Sequence, residues 1–133
     1  MTIRLDRTIV PAKDRTASAQ FLAEVFGLTV KVGRFAQVRV NDTLTFDFTD
    51  ETQEWRGFRS RVSGRPDHHY AFVVGKHEFD TILGRVKAKG ILYGSEPHRP
   101  NGQTYTHRGG RGVYLEDPDG HLLEVMTRPE VER

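Results

Sequence analysis

Apolar residues along the chain follow two different periods, and the order of these periods predicts the secondary structure. Residues 3–11 alternate as a strand does, and residues 17–27 carry an apolar stripe at helical spacing that ends on a glycine. Residues 28–33, 35–41 and 43–49 predict three further strands separated by turn residues. The first half of the chain is therefore predicted to be a β-α-β-β-β unit.

The second half repeats this order of periods. Residues 69–74 predict a strand, and residues 78–89 predict a helix that Gly90 ends. A short strand at 91–93 follows, and the stretch 112–125 predicts a closing hairpin. Because both halves share one order of elements, the sequence predicts an internal duplication, with Arg7 and His69 at the starts of equivalent strands and Asp47 and Glu124 on equivalent last strands.

The closing hairpin places one carboxylate among apolar residues. Pro118 fixes the first corner of its turn, and Gly120 accepts the positive φ that the turn requires. On the second strand Glu124 is flanked by a leucine and a valine, and an unpaired carboxylate is costly in such surroundings. Glu124 is therefore expected to contact a metal ion, an arginine or a lysine.

Length and composition predict one soluble domain. The 133 residues suit a single domain of two modules, at about 1–50 and 68–133, joined by a polar linker at about 51–67. With no cysteine, disulfides and thiolate ligands are excluded. The sequence shows neither a secretory signal nor an apolar run of membrane-spanning length, so we expect a cytoplasmic protein that does not enter a membrane.

The charge distribution favours a small-molecule partner over nucleic acid. The formal net charge is +2, and the densest basic run, residues 56–65, has the composition of a solvated loop. Nucleic-acid binding needs basic and aromatic residues gathered on one face, which this pattern does not predict. We expect a small ligand, and the basic balance favours an anionic one.

Three stretches resemble the vicinal oxygen chelate superfamily, which includes glyoxalase I, fosfomycin-resistance thiol transferases, extradiol dioxygenases and bleomycin-binding proteins. They are the closing hairpin 112–125, the opening residues 5–14 and the strand at 69–74, which reads His-Tyr-Ala-Phe-Val-Val. The resemblance implies an α+β fold in which two βαβββ modules form a cup-shaped mixed sheet with helices on the outside. It also implies a homodimer, because members of this size commonly pair.

The same resemblance implies a site where the first and last strands of both modules meet, with Arg7, Asp47, His69 and Glu124 around one centre. His69, Glu124 and Asp47 would be ligands of a divalent nickel, zinc, manganese or iron ion, and Glu124 would also move protons in catalysis. The departure is Arg7, which stands where the family pattern has histidine. A guanidinium cannot ligate a metal, and it would form forked hydrogen bonds to a neighbouring carboxylate and contact the ligand.

Two functions stay open on the sequence alone. The favoured one is a small-molecule-binding member of the superfamily whose metal site is degenerate because of Arg7. The alternative is a divalent-metal-dependent lyase, isomerase or thiol transferase acting on a substrate with vicinal oxygens. The connection at 94–112 is long, and it predicts either a lid that brings Arg111 and Tyr105 to the substrate or an ordinary hairpin loop.

Overall fold

The chain divides into two compact units, Met1–Pro66 and Asp67–Arg133. The structure is a computed structural model, and it describes residues 3–50 and 68–128. The predicted linker at 51–67 lies outside the described residues. Each unit contains its own sheet and its own helix, which confirms the predicted α+β class.

The first unit has the predicted β-α-β-β-β order. Within residues 3–50 its elements are β1 (Arg7–Ala12), α1 (Arg15–Phe26), β2 (Val30–Val32), β3 (Ala36–Arg39) and β4 (Thr45–Asp50). The sheet order is β1-β4-β3-β2, with β1 parallel to β4 and the other pairs antiparallel. The strands are shorter than predicted because each extends only as far as its partner does. Thus β1 starts at Arg7 and not at residue 3, because Arg7 pairs with Thr45, the first residue of β4.

Capping groups set the ends of α1. The side chain of Asp14 accepts hydrogen bonds from the backbone N–H groups of Thr16 and Ala17, so the helix starts at Arg15, two residues before the predicted start. Gly27 closes it with a φ of 73°, as predicted. The helix packs against β3 and β4 and covers Phe46 and Phe48, whose side chains are buried.

Between residues 68 and 128 the second unit contains one strand more than predicted. Its elements are β5 (His69–Val73), α2 (Lys76–Ala88), β6 (Tyr93–Gly94), β7 (Tyr105–His107), β8 (Gly110–Glu116) and β9 (Leu122–Met126). The sheet order is β5-β9-β8-β6, and the additional strand β7 pairs with β8. The tight turn between β7 and β8 has positive φ at both Arg108 and Gly109, which suits the twist of a hairpin.

The helix α2 buries the apolar stripe that its spacing predicts: Phe79, Ile82, Leu83 and Val86. It begins earlier than predicted because Glu78 accepts a hydrogen bond from the backbone N–H of Gly75, which satisfies a free donor at the helix start. In the described ranges 3–50 and 68–128, neither helix has the length and apolar character needed to span a membrane.

The closing hairpin forms as predicted. Asp117 accepts hydrogen bonds from the backbone N–H groups of Asp119 and His121, and Gly120 has a φ of 85°. This turn fixes the register of β8 on β9, with Glu116 opposite Leu122 at the base of the hairpin. The position of every other side chain on the two strands follows from that pair.

Candidate functional site

The two units carry equivalent pairs of a basic and an acidic side chain. Arg7 begins β1 and His69 begins β5, and each strand runs parallel to the strand that carries the carboxylate, Asp47 or Glu124. In both units the residue two positions after the basic one lies opposite the carboxylate. Because alternate residues share a face, each basic side chain projects from the same face of its sheet as its carboxylate. The two units therefore carry a basic and an acidic residue at equivalent positions, arginine with aspartate in the first unit and histidine with glutamate in the second.

In the second unit Glu124 is held at both carboxylate oxygens. His69 Nε2 lies 3.3 Å from Glu124 Oε1, and the Tyr105 hydroxyl donates a hydrogen bond to Oε2. The Glu124 side chain is 13% exposed, whereas that of His69 is 50% exposed. The Glu124 carboxylate is thus nearly buried and fixed in orientation, and the His69 side chain beside it is half exposed. We call these three residues, together with Tyr114, the Glu124 cluster.

Tyr114 joins this cluster although the sequence reasoning did not single it out. It lies directly opposite Glu124 in the hairpin, and its ring centroid is 5.6 Å from that of Tyr105 and 6.3 Å from that of His69. The signal was present in the sequence, because a three-residue turn at 118–120 sets Asp117 opposite His121, and counting outward from that pair places Tyr114 opposite Glu124. That count requires only the turn type, a type I turn followed by a residue of positive φ, for which Pro118 and Gly120 are typical residues.

Gly112 makes room for the Tyr105 ring. The two residues are paired between β7 and β8, and a Cβ on Gly112 would overlap the ring of Tyr105. Without a side chain at residue 112, the tyrosine reaches across β8 to the carboxylate of Glu124 on β9. The glycine is therefore required by close approach rather than by backbone conformation.

Both phenols of the cluster are held in the protonated form. Burial, followed by the hydrogen bond to Glu124 and the charge of that residue, raises the pKa of Tyr105 strongly. Burial and then the charge of Glu124 also raise the pKa of Tyr114. At neutral pH Tyr105 and Tyr114 are therefore neutral hydrogen-bond donors and not phenolate bases.

The raised pKa of Tyr105 predicts an effect on stability at high pH. A free tyrosine has a pKa of about 10. Below pH of about 10 the Tyr105 hydroxyl is therefore protonated in both the folded and the unfolded protein, and its stabilising effect is fully present. The stabilisation is lost as the pH rises through the higher pKa of the folded protein. We expect the free energy of unfolding to fall above pH of about 10, and to fall less steeply in Tyr105→Phe. Denaturant unfolding across this pH range measures it, and equal slopes for the two proteins would contradict the assignment.

In the first unit Asp47 is completely buried on the face opposite Phe46 and Phe48. Arg7 Nη1 lies 3.8 Å from Asp47 Oδ2, and Arg7 Nε donates a hydrogen bond to Asp6. Among the described residues, neither Asp47 oxygen has a hydrogen-bond partner. The predicted forked hydrogen bonds from Arg7 are therefore not present in the described part of the chain. The reason is that the guanidinium, 56% exposed, uses its Nε on Asp6.

Arg111 does not reach the Glu124 cluster. It lies on β8 between Gly110 and Gly112, and side chains alternate along a strand, so it projects from the face opposite to Tyr114. Its Nη1 is 2.7 Å from Asp80 Oδ1, and its guanidinium lies 4.6 Å above the centre of the Phe79 ring. The predicted substrate contact by Arg111 is thus replaced by a contact with α2.

The His69–Glu124 pair has the donor chemistry and spacing of two ligands to one metal ion. Two donors about 2.1 Å from an ion, at a tetrahedral or octahedral angle, lie about 3.0–3.4 Å apart. His69 Nε2 and Glu124 Oε1 are 3.3 Å apart. Asp47, the third predicted ligand, offers two buried oxygens that no hydrogen bond satisfies within the described residues. The His69–Glu124 pair fits a divalent ion, and the grouping of Asp47 with this pair stays a prediction.

Comparison with known proteins gives the family. The profile of the Glyoxalase/Bleomycin resistance protein/Dioxygenase superfamily matches residues 4–125. Oxidase ChaP-H2 is 42% identical, with 97% of this chain and 96% of that chain covered and a TM-score of 0.81. Oxidase ChaP-H1 is 43% identical, with 98% and 100% covered and a TM-score of 0.81.

A more distant likeness concerns the fold alone. The fosfomycin resistance protein FosX from Listeria monocytogenes is 22% identical, with 98% of this chain and 97% of that chain covered and a TM-score of 0.67. The likeness to FosX and the two oxidases extends over nearly the whole chain, in agreement with the profile match. The chain belongs to the Glyoxalase/Bleomycin resistance protein/Dioxygenase superfamily.

Proposed function

We propose that this chain is an oxidase that transfers electrons from a small molecule to dioxygen at the Glu124 cluster and uses one divalent metal ion. The observation that carries the proposal is the 3.3 Å separation of His69 Nε2 and Glu124 Oε1, an imidazole and a carboxylate donor facing one another. It is supported by two solved structures that are called oxidases and are 42% and 43% identical over nearly the whole chain. Because of these similarities, we favour a metal-using enzyme over the metal-deficient binding protein that the sequence alone favoured.

The composition explains why a metal ion fits this proposal. The chain has no cysteine, so it lacks the thiol that most often carries redox chemistry in a protein. One imidazole with carboxylate oxygens suits iron or manganese, whereas zinc has no redox chemistry. Of the four metals expected from the sequence, iron and manganese therefore fit an oxidation. His69 and Glu124 would hold the ion, with Asp47 as the proposed third ligand.

The residues of the cluster then have separate tasks. His69 and Glu124 would hold the iron or manganese ion, which would supply redox chemistry and Lewis acidity when bound. Tyr105 holds Glu124 Oε2 and leaves Oε1 directed at His69, so the carboxylate presents one oxygen as a donor atom. The Glu124 carboxylate is the proposed general base that accepts a proton from a substrate hydroxyl. Arg7, half exposed beside Asp47, would contact an anionic group of the substrate.

Substitution of Arg7 tests the proposed metal centre. The guanidinium 3.8 Å from Asp47 repels an incoming cation, so Arg7→Gln is expected to raise manganese affinity about threefold or more. Arg7→His removes the same charge and adds an imidazole ligand, so it is expected to raise the affinity about tenfold beyond Arg7→Gln. Isothermal titration of chelator-treated protein with manganese chloride measures both values, and Arg85→Gln on α2 is the control for loss of an arginine.

A second candidate function is favoured by the contact of Arg7 with Asp47. In this alternative the chain binds an anionic small molecule without a metal, and the guanidinium takes the place of the ion beside the buried carboxylate. The wild type would then take up no manganese at concentrations up to about 1 mM, equivalent to a binding free energy weaker than about 4 kcal/mol. That result would contradict the oxidase proposal and support the metal-free binding protein. Homodimer formation and cytoplasmic location stay predictions from the sequence.

A further inference from the structure

Met126 places a sulfur atom beside the Glu124 cluster. It lies on β9 two residues after Glu124, so its side chain projects from the same face of the sheet. Its Sδ lies 3.9 Å from the hydroxyl of Tyr105, the phenol that donates a hydrogen bond to Glu124 Oε2. The chain has no cysteine and two methionines, Met1 and Met126, so oxidation at sulfur is confined to these two positions.

A small cavity gives access to the Met126 side chain. Its volume is about 100 Å³, and Met126 lines it together with Val73, Tyr105 and His107. Val73 pairs with Met126 between β5 and β9 and is exposed, so this cavity lies close to solvent. A water molecule needs roughly 10–15 Å³ of such space, and hydrogen peroxide is only slightly larger than water. The cavity beside Met126 is therefore large enough to admit a peroxide.

The Tyr105 hydroxyl has one proton and two neighbouring acceptors. Gly112 pairs with Tyr105 on one side and with Met126 on the other, and because it has no side chain, the phenol lies close to the sulfur. A carboxylate is a strong acceptor and a thioether is a weak one, so Tyr105 donates its proton to Glu124 in the reduced protein. A stronger acceptor at residue 126 would change that preference.

We propose that Met126 is an oxidation site whose sulfoxide takes the Tyr105 hydrogen bond away from Glu124. In the reaction a lone pair of the sulfur attacks one oxygen of hydrogen peroxide, the O–O bond breaks and an S–O bond forms. The sulfur loses two electrons, the peroxide gains them, and the second oxygen leaves as water with both hydrogens. The product carries a polar oxygen where the thioether had only a weak acceptor.

The sulfoxide changes the Glu124 cluster through Tyr105. Its oxygen competes with Glu124 Oε2 for the single phenolic proton, and the carboxylate loses the donor that fixes its orientation. Methionine sulfoxide is returned to methionine by sulfoxide reductases, so the modification is a reversible switch of the Glu124 hydrogen bond. The inference goes beyond the proposed function and does not depend on it, because the oxidant is an external peroxide and no metal takes part.

Treatment of the metal-free protein with hydrogen peroxide tests this inference. Peptide mass spectrometry is expected to find one added oxygen atom on Met126, and the NMR signal of the Glu124 side-chain carboxyl carbon is expected to shift. In Tyr105→Phe the same oxidation is expected to leave that signal almost unmoved, because no hydroxyl is present to change its partner. Met126→Leu is the matched control, since it keeps an apolar side chain of similar size without a sulfur atom.

The inference stands if peroxide shifts the Glu124 signal only in the protein that has both Met126 and Tyr105, and if methionine sulfoxide reductase restores the signal. It is overturned if Met126 stays reduced under conditions that oxidise free methionine, if the Glu124 signal does not move, or if it moves equally in Tyr105→Phe or Met126→Leu.

Manganese titration of the wild type separates this inference from the proposed function. A protein that takes up no manganese but shows the Tyr105-dependent shift would contradict the oxidase and support the oxidation site. A protein that binds manganese but shows no such shift would overturn the oxidation site alone.

Discussion

Glu124→Gln is expected to lower the affinity for manganese at least about 100-fold. Substitutions of the partners that orient metal ligands already lower affinity about 10- to 100-fold, and Glu124 is the proposed ligand itself. The amide is nearly isosteric with the carboxylate, so the Tyr105 hydroxyl keeps an acceptor and the hairpin keeps its shape. The loss would therefore report the missing negative charge and not a change of fold.

Asp80→Asn is the matched control for this substitution. Asp80 is an exposed carboxylate in the same unit, and it pairs with Arg111 at 2.7 Å on the helix side of the sheet. Removing its charge changes the net charge of the protein by the same amount as Glu124→Gln. Manganese affinity in Asp80→Asn is expected to stay within about twofold of the wild type, because the charge lies in solvent and is screened. Equal losses of manganese affinity in Glu124→Gln and Asp80→Asn would mean that Glu124 is not a ligand of the ion.

Gly112→Ala is expected to lower the free energy of unfolding by about 1–3 kcal/mol, the usual effect of adding a methyl group to a filled space. The added Cβ would overlap the ring of Tyr105, so the tyrosine must move and its hydrogen bond to Glu124 is lost. Denaturant unfolding measures the change. Gly84→Ala is the control, because no atom lies within 4 Å of its added Cβ and alanine favours a helix.

A double variant shows whether the effect passes through Tyr105. With Tyr105→Ala the ring is absent, and Gly112→Ala is then expected to be nearly neutral in stability. The two substitutions would be strongly non-additive, as residues in direct contact usually are. Additive losses would mean that residue 112 affects the hairpin for a reason unrelated to the position of the tyrosine.

Most of the fold could be predicted from the sequence because the signals for helices, strands and turns lie in neighbouring residues and recur in both halves of the chain. Period, capping residues and turn glycines are properties of neighbouring residues, and they located both helices and the closing hairpin. The strand β7 was not predicted, since three residues within a polar stretch carry no period. Its existence depends on the edge of β8, a partner that local sequence does not reveal.

The residues expected at the site came from the internal duplication and the family resemblance, which together named Arg7, His69 and Glu124. The faces of the loop strands could not be counted, so Arg111 was assigned to the substrate although it pairs with Asp80 on the other face. The contact between Tyr105 and Glu124 crosses a strand over Gly112, and only the register of three strands shows it.

Pulsed electron paramagnetic resonance of the manganese-loaded protein tests most directly whether an ion binds between His69 and Glu124. A directly bound imidazole couples its nitrogen to the manganese spin, and we expect this coupling in the wild type. We also expect the coupling to disappear in His69→Gln and to persist in His107→Gln. A manganese signal without nitrogen coupling, or one that His69→Gln leaves unchanged, would contradict a metal site between His69 and Glu124.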